Sequence, residues 1–171
     1  MKKIFKILLF VTTFCFVLSG VYAGVINYGD EIYLESNQWK GEFLAVGEKM
    51  GYGKVIHLSP QKWKILSVED KTGSVKRGDK IALQPLELEG SGKFLRVGGP
   101  LNEYKVNLAD QIDKWEKWTI ICPEFPSGDV ESGNIINLKS FHEKYLRARD
   151  YNEVNQADEA QDWEKWVITK D

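Results

Sequence analysis

Three short words recur in the same order along this chain, and that recurrence constrains its fold more than any single residue does. Gly29-Asp30-Glu31-Ile32-Tyr33-Leu34 returns as Gly78-Asp79-Lys80-Ile81-Ala82-Leu83 and again as Gly133-Asn134-Ile135-Ile136-Asn137-Leu138. A second word follows each: Gly41-Glu42-Phe43-Leu44-Ala45-Val46, Gly92-Lys93-Phe94-Leu95-Arg96-Val97 and Glu143-Lys144-Tyr145-Leu146-Arg147-Ala148. In the last two copies Val106-Asn107-Leu108-Ala109-Asp110 leads to Trp115-Glu116-Lys117-Trp118-Thr119-Ile120, and Val154-Asn155-Gln156-Ala157-Asp158 leads to Trp163-Glu164-Lys165-Trp166-Val167-Ile168. The first copy has a shorter hairpin between Val55 and Trp63 and lacks the first of the two tryptophans.

Each copy reads as four short strands. Ile32/Leu34, Ile81/Leu83 and Ile136/Leu138 alternate with period two, and Gly, Asn, Asp and Pro stand between the words, where turns need them. No segment carries a sustained 3.6-residue period. One such unit cannot bury its apolar face, so three must close around a shared axis. The expectation is an all-β chain, a β-trefoil of twelve strands in three pseudo-symmetric four-strand repeats, at about 29–75, 78–130 and 133–171.

The first 23 residues read differently. Lys2, Lys3 and Lys6 precede an apolar run from Ile7 to Leu18, and Val21-Tyr22-Ala23 ends on a small residue. That is the order of a secretory signal peptide cleaved near Ala23, and the run is shorter than the roughly 20 apolar residues of a membrane span. Removing it takes three of the 23 Lys and Arg and none of the 25 Asp and Glu, so 24–171 carries 20 cations against 25 acids, a charge of −5. An acidic domain without a basic run argues against nucleic-acid binding. Cys15 leaves with the signal, and Cys122 then has no partner for an internal disulfide. His57 and His142 are the only histidines, and neither sits in a zinc-like or triad-like motif. The reading is a secreted (extracellular or periplasmic) monomer of one domain, not an enzyme, with no cofactor or metal.

The succession Gly-Asp-x-x-x-Leu, Gly-Lys-Phe/Tyr-Leu, then Ala-Asp and Trp-Glu-Lys-Trp-x-Ile resembles the repeats of fascin-like β-trefoils. The resemblance spans residues 29–171. It implies a non-catalytic binding module, a class that includes actin bundlers and sugar-binding modules of secreted proteins; fold alone does not choose between them.

Equivalent positions held by Trp63, Trp118 and Trp166 point to a layer that fills the barrel; for Trp115 and Trp163 the fascin-like resemblance implies plugs at hairpin ends, with a half-exposed ring as the alternative. Gln61-Lys62-Trp63 matches a ricin-type Gln-x-Trp signature in one copy only. Asp110 and Asp158 read in two ways, as acceptors for sugar hydroxyls or as turn residues bonded to backbone N–H groups. With Tyr104 and Asn107, and with Tyr151 and Asn155, they form the mix of aromatic, amide and carboxylate that a shallow sugar site uses, and these six are the candidate ligand-binding residues. Arg147 and Arg149 share one strand face and offer a local cationic spot. The leading function is lectin-like recognition of a glycan. A fascin-like domain that binds actin or a host protein is the alternative. A trefoil-type protease inhibitor, with Pro123-Glu124-Phe125-Pro126-Ser127-Gly128-Asp129 as bait, comes after both.

Overall fold

The computed structural model describes residues 24–47, 60–88, 93–98, 105–149 and 153–171, and the backbone of 53–57. Residues 1–23, the expected signal peptide, and Tyr104 and Tyr151 lie outside the described residues. Twelve strands follow in order: β1 (Glu31–Ser36), β2 (Glu42–Val46), β3 (Gly53–His57), β4 (Trp63–Ser67), β5 (Lys80–Pro85), β6 (Phe94–Val97), β7 (Val106–Ala109), β8 (Trp118–Ile121), β9 (Ile135–Ser140), β10 (Tyr145–Arg149), β11 (Glu153–Ala157) and β12 (Trp166–Lys170). In β1 the period-two pattern buries Ile32, Leu34 and Ser36 and turns their neighbours outward.

The recurring Gly-Asp word is a turn with a physical requirement. Gly29, Gly78 and Gly133 have φ of +94°, +92° and +92°, a region that only glycine enters without strain. Their N–H groups donate to the carbonyls of Ile65, Ile120 and Ile168. The next side chain, Asp30, Asp79 or Asn134, accepts from the backbone N–H three residues back, at Asn27, Lys76 or Glu131. Each word therefore ends a loop and aims the following strand into the barrel.

Hydrogen bonding corrects the expected division into three four-strand β-trefoil repeats. Strands β1, β4, β5, β8, β9 and β12 pair in a closed ring of six, and the others are added to it. The long ladders of the ring cross the boundaries between sequence copies. β1 runs against β12 from Ile32–Lys170 to Ser36–Trp166, and β4 against β5 from Trp63–Pro85 to Ser67–Ile81. Within a copy, β1 meets β4 only at Glu31–Lys64 and Ile32–Trp63. The added hairpins also differ. β2–β3 and β10–β11 join the main sheet through Glu35–Phe43 and Tyr145–Lys139, whereas β6–β7 forms a separate two-stranded sheet. The repeat is a unit of sequence; the ladder that holds it is shared with its neighbours.

Equivalent residues still converge inside this barrel. Trp63, Trp118 and Trp166 are fully buried, and their indole Nε1 groups donate to the carbonyls of Leu44, Leu95 and Leu146 at 2.9, 3.0 and 3.0 Å. A second set closes one end: Ile26 N donates to Val130 O, Val130 N to Val75 O and Val75 N to Ile26 O, a cycle of backbone bonds at 2.8–2.9 Å. These residues and the barrel-facing aliphatics make one buried cluster, to which Cys122 also belongs.

Candidate functional site

The residue before each Lys-Trp pair organises the surface above the barrel. Glu116 and Glu164 are each 3% exposed, as is their counterpart Gln61. Glu116 Oε2 accepts from Asp113 N and Glu164 Oε2 from Gln161 N, both at 2.8 Å, which folds the loop before the strand back on itself. The other oxygen of each carboxylate faces an arginine: Arg96 Nε lies 3.9 Å from Glu116 and Arg147 Nε 3.8 Å from Glu164. Those arginines also donate from Nε to Asn107 Oδ1 and Asn155 Oδ1, at 2.9 and 2.8 Å. A buried carboxylate needs such partners, because leaving it alone in a low-dielectric interior is costly. The first copy has Ala45 at the arginine's position in the register and carries an amide instead. Gln61 accepts from Val46 N at 2.6 Å and donates to Glu87 at 2.7 Å. A glutamate there would face a second carboxylate, so the Gln-x-Trp match follows from local packing.

In the third copy this framework borders an open groove of about 510 Å³, lined by Gln38, Arg147, Ala157, Glu159, Gln161, Asp162, Trp163 and Glu164. Gln38 comes from the β1–β2 turn, so the groove spans the seam where the first and last strands close the barrel. Trp163 is 37% exposed; its ring stands 6.0 Å from that of Trp39, tilted by 53°. Asn137, on β9, donates to Glu164 O at 2.7 Å and pins the short 3-10 turn Asp162–Glu164 that carries the tryptophan. Asp162 is tied to Lys165 at 2.8 Å. With Arg147 turned to Glu164 and Asn155, the lining is acidic on balance, and Glu159 adds to it.

Four of the six candidate ligand residues can be placed. Asn107 and Asn155 sit on β7 and β11 as acceptors for Arg96 and Arg147. Asp110 and Asp158 are exposed and form ion pairs with Lys93 and Lys144, the lysines of the preceding Gly-Lys-Phe and Glu-Lys-Tyr words. Asn155 touches the groove through Arg147, and Asp158 lies between two lining residues; Asn107 and Asp110 stand in the second copy, away from it. Arg149 lies 3.8 Å from Glu153, so the two arginines do not form a free cationic spot. Sequence reasoning missed Gln38, Glu159 and Asp162; for Trp163 it put a plug first and a half-exposed ring second, and the ring is 37% exposed. The one available signal was the extra tryptophan before Glu-Lys-Trp, present in two copies and absent from the first.

The proline-braced segment 123–129 is clamped. Arg77 donates from Nη1 to Ser127 O at 2.7 Å and from Nη2 to Asn134 Oδ1 at 3.3 Å, and its guanidinium lies 5.0 Å from the Phe125 ring centroid. Lys76 pairs with Asp129 beside it.

No protein-family model matches this chain, and no curated protein matches it in sequence. Solved structures do. It is similar to an SDF2-like protein from Arabidopsis thaliana at 19% identity, covering 85% of this chain and 94% of that one, with a TM-score of 0.69. It is similar to SeviL, solved bound to asialo-GM1 saccharide, at 17% identity, with coverage of 83% and 98% and a TM-score of 0.58. Lysenin in complex with phosphocholine matches at 13% identity over 87% of this chain and 47% of its own, with a TM-score of 0.62. At these identities the likeness is one of fold. The neighbours are β-trefoil proteins, one of them solved with a bound saccharide, and the closed six-strand barrel is compatible with theirs. Among the described residues no helix is long and apolar enough to cross a membrane.

Proposed function

We propose that this chain is a secreted, non-catalytic carbohydrate-binding protein that seats a neutral sugar ring in the groove beside Trp163. The observation that carries the reading is the joining, in one open groove, of a part-exposed indole with amides, carboxylates and an arginine. An indole face packs against the apolar C–H face of a pyranose, and the polar groups at its rim pair with hydroxyls. The acidic balance of the lining favours a neutral ligand over an anionic one. Lectin-like fold neighbours and the fascin-like resemblance of the repeat words support a binding module, and the leader of residues 1–23 supports action outside the cell.

The test is a glycan array with the purified protein, expressed from its full sequence, run beside actin co-sedimentation. Retention of neutral glycans, lost in Trp163→Ala without a matching loss of fold, is the expected result. Actin pelleting with no glycan bound would overturn the reading in favour of a protein ligand.

A further inference from the structure

We propose that Lys114, Trp115, Phe141 and His142 form a second carbohydrate site, selective for sugars that carry an acidic group; the proposal rests on the glycan-binding reading above. The four residues come from two segments, the β7–β8 loop and the β9–β10 turn; none of them lines the groove, and they bring a cation where the groove is acidic. Lys114 Nζ stands 5.7 Å from the Trp115 ring centroid and 5.4 Å from that of Phe141. His142 completes the cluster, 5.9 Å from Trp115 and 5.6 Å from Phe141, the latter edge-on at 80°.

Two features separate this patch from an ordinary solvated surface. First, Phe141 is 53% exposed, so an aromatic face lies open beside a positioned ammonium group. Second, among the described residues Lys114 forms no ion pair, whereas Lys93, Lys139, Lys144 and Lys165 each hold a carboxylate. Of the acids around it, Glu116 is buried against Arg96 and Asp113 N, Glu143 faces Lys139 and Asp158 faces Lys144, while Asp113, next to Lys114 in the chain, is exposed and forms no ion pair with it. Burial, then the charges of Lys114 and Lys144, hold the His142 imidazole below its usual pKa.

The chemistry that fits is a pyranose whose apolar face covers Phe141 while its carboxylate or sulfate meets the Lys114 ammonium. The two ring faces hold that ammonium in place before the ligand arrives, and a charge-assisted hydrogen bond to it is about twice as strong as a neutral one.

The experiment uses the purified protein and four sets of ligand: neutral glycans, uronate- or sialate-bearing glycans, sulfated glycans, and anionic phospholipid vesicles. Variants Lys114→Gln and Phe141→Ala, at exposed positions, are compared with Trp163→Ala, with melting curves checked for each. The expected result is that Lys114→Gln weakens acidic glycans at least about tenfold, leaves neutral glycans unchanged, and that Trp163→Ala does the reverse. The carboxylated and sulfated sets report which acidic group is taken. Neutral glycans bound with no acidic glycan retained would overturn this site and leave the groove standing. Acidic glycans held equally well by Lys114→Gln and Phe141→Ala, or capture by vesicles alone, would also overturn it. No glycan retained at all would overturn both readings.

Discussion

Removing the indole from any one of the three equivalent tryptophans should test the barrel most directly. In Trp166→Ala a fully buried side chain disappears from the seam where β12 meets β1 and β9. Emptying a site of that size costs about 3–5 kcal/mol. The substitution also strips the Leu146 carbonyl of the donor it meets at 3.0 Å, and a buried acceptor left unpaired costs about 1–3 kcal/mol of that total. Trp166→Phe separates the two effects, since it keeps most of the ring volume and loses the donor. It should therefore fall between wild type and Trp166→Ala. Trp63→Ala and Trp118→Ala have matching burial and matching bonds, to Leu44 and Leu95, so their costs should agree with Trp166→Ala to within about 1–2 kcal/mol. Guanidinium unfolding followed by far-UV signal measures each, with midpoints compared at constant slope. A loss below about 1 kcal/mol in any of the three would refute the claim that these indoles fill the core.

Glu164→Gln should cost less than Glu164→Ala, because the amide still accepts from Gln161 N as Gln61 does from Val46 N; the alanine variant removes both carboxylate oxygens and leaves the buried loop N–H unpaired, at about 1–3 kcal/mol by chemical denaturation. Asp79 is 8% exposed. Burial pushes its carboxyl up, but bonds from Lys71, Tyr28 and Lys76 N outweigh that and hold it below the usual range. A lowered folded pKa contributes stability that is full above the unfolded value near 3.9 and is lost as pH falls through the folded one. Asp79→Asn should therefore lower stability at pH 7 and flatten its decline below about pH 4, read from melting temperature against pH. Asp110→Ala combined with Asp158→Ala removes two exposed ion pairs, so the loss should stay within about 1 kcal/mol for each pair; neutral-glycan binding in the Trp163 groove should persist. Arg77→Ala should release segment 123–129 and speed its proteolysis, with only a modest change in global stability.

The groove was less legible in the sequence than the core, for a specific reason. Trp115 and Trp163 occupy equivalent places in the Trp-Glu-Lys-Trp word, yet their surroundings differ. Trp163 meets Trp39 and the groove residues, whereas Trp115 meets His142 and Lys114. Each tryptophan packs against the turn that follows the first strand of another copy, and those turns, Gln38-Trp39-Lys40 and Phe141-His142-Glu143, share no residue type in register. Likewise the paired Asp110 and Asp158 stood out by repetition, although repetition records their ion pairs with Lys93 and Lys144 as readily as any ligand.

The sequence by itself determined the all-β class, the strand positions, the turns that require glycine at 29, 78 and 133, and the three tryptophans of the core. These are local properties: a period of two, a positive φ, or a large apolar residue at equivalent positions is written within a few residues. Which strands share a ladder is not local. Only the tertiary structure decided that the chain closes a six-strand ring through ladders that cross copy boundaries, with β6–β7 left as its own sheet, in place of three four-strand units. The same holds for the groove and for the Lys114 patch. Both join a loop of one copy to a turn of another, and their chemistry exists only where long-range pairing sets the two side by side.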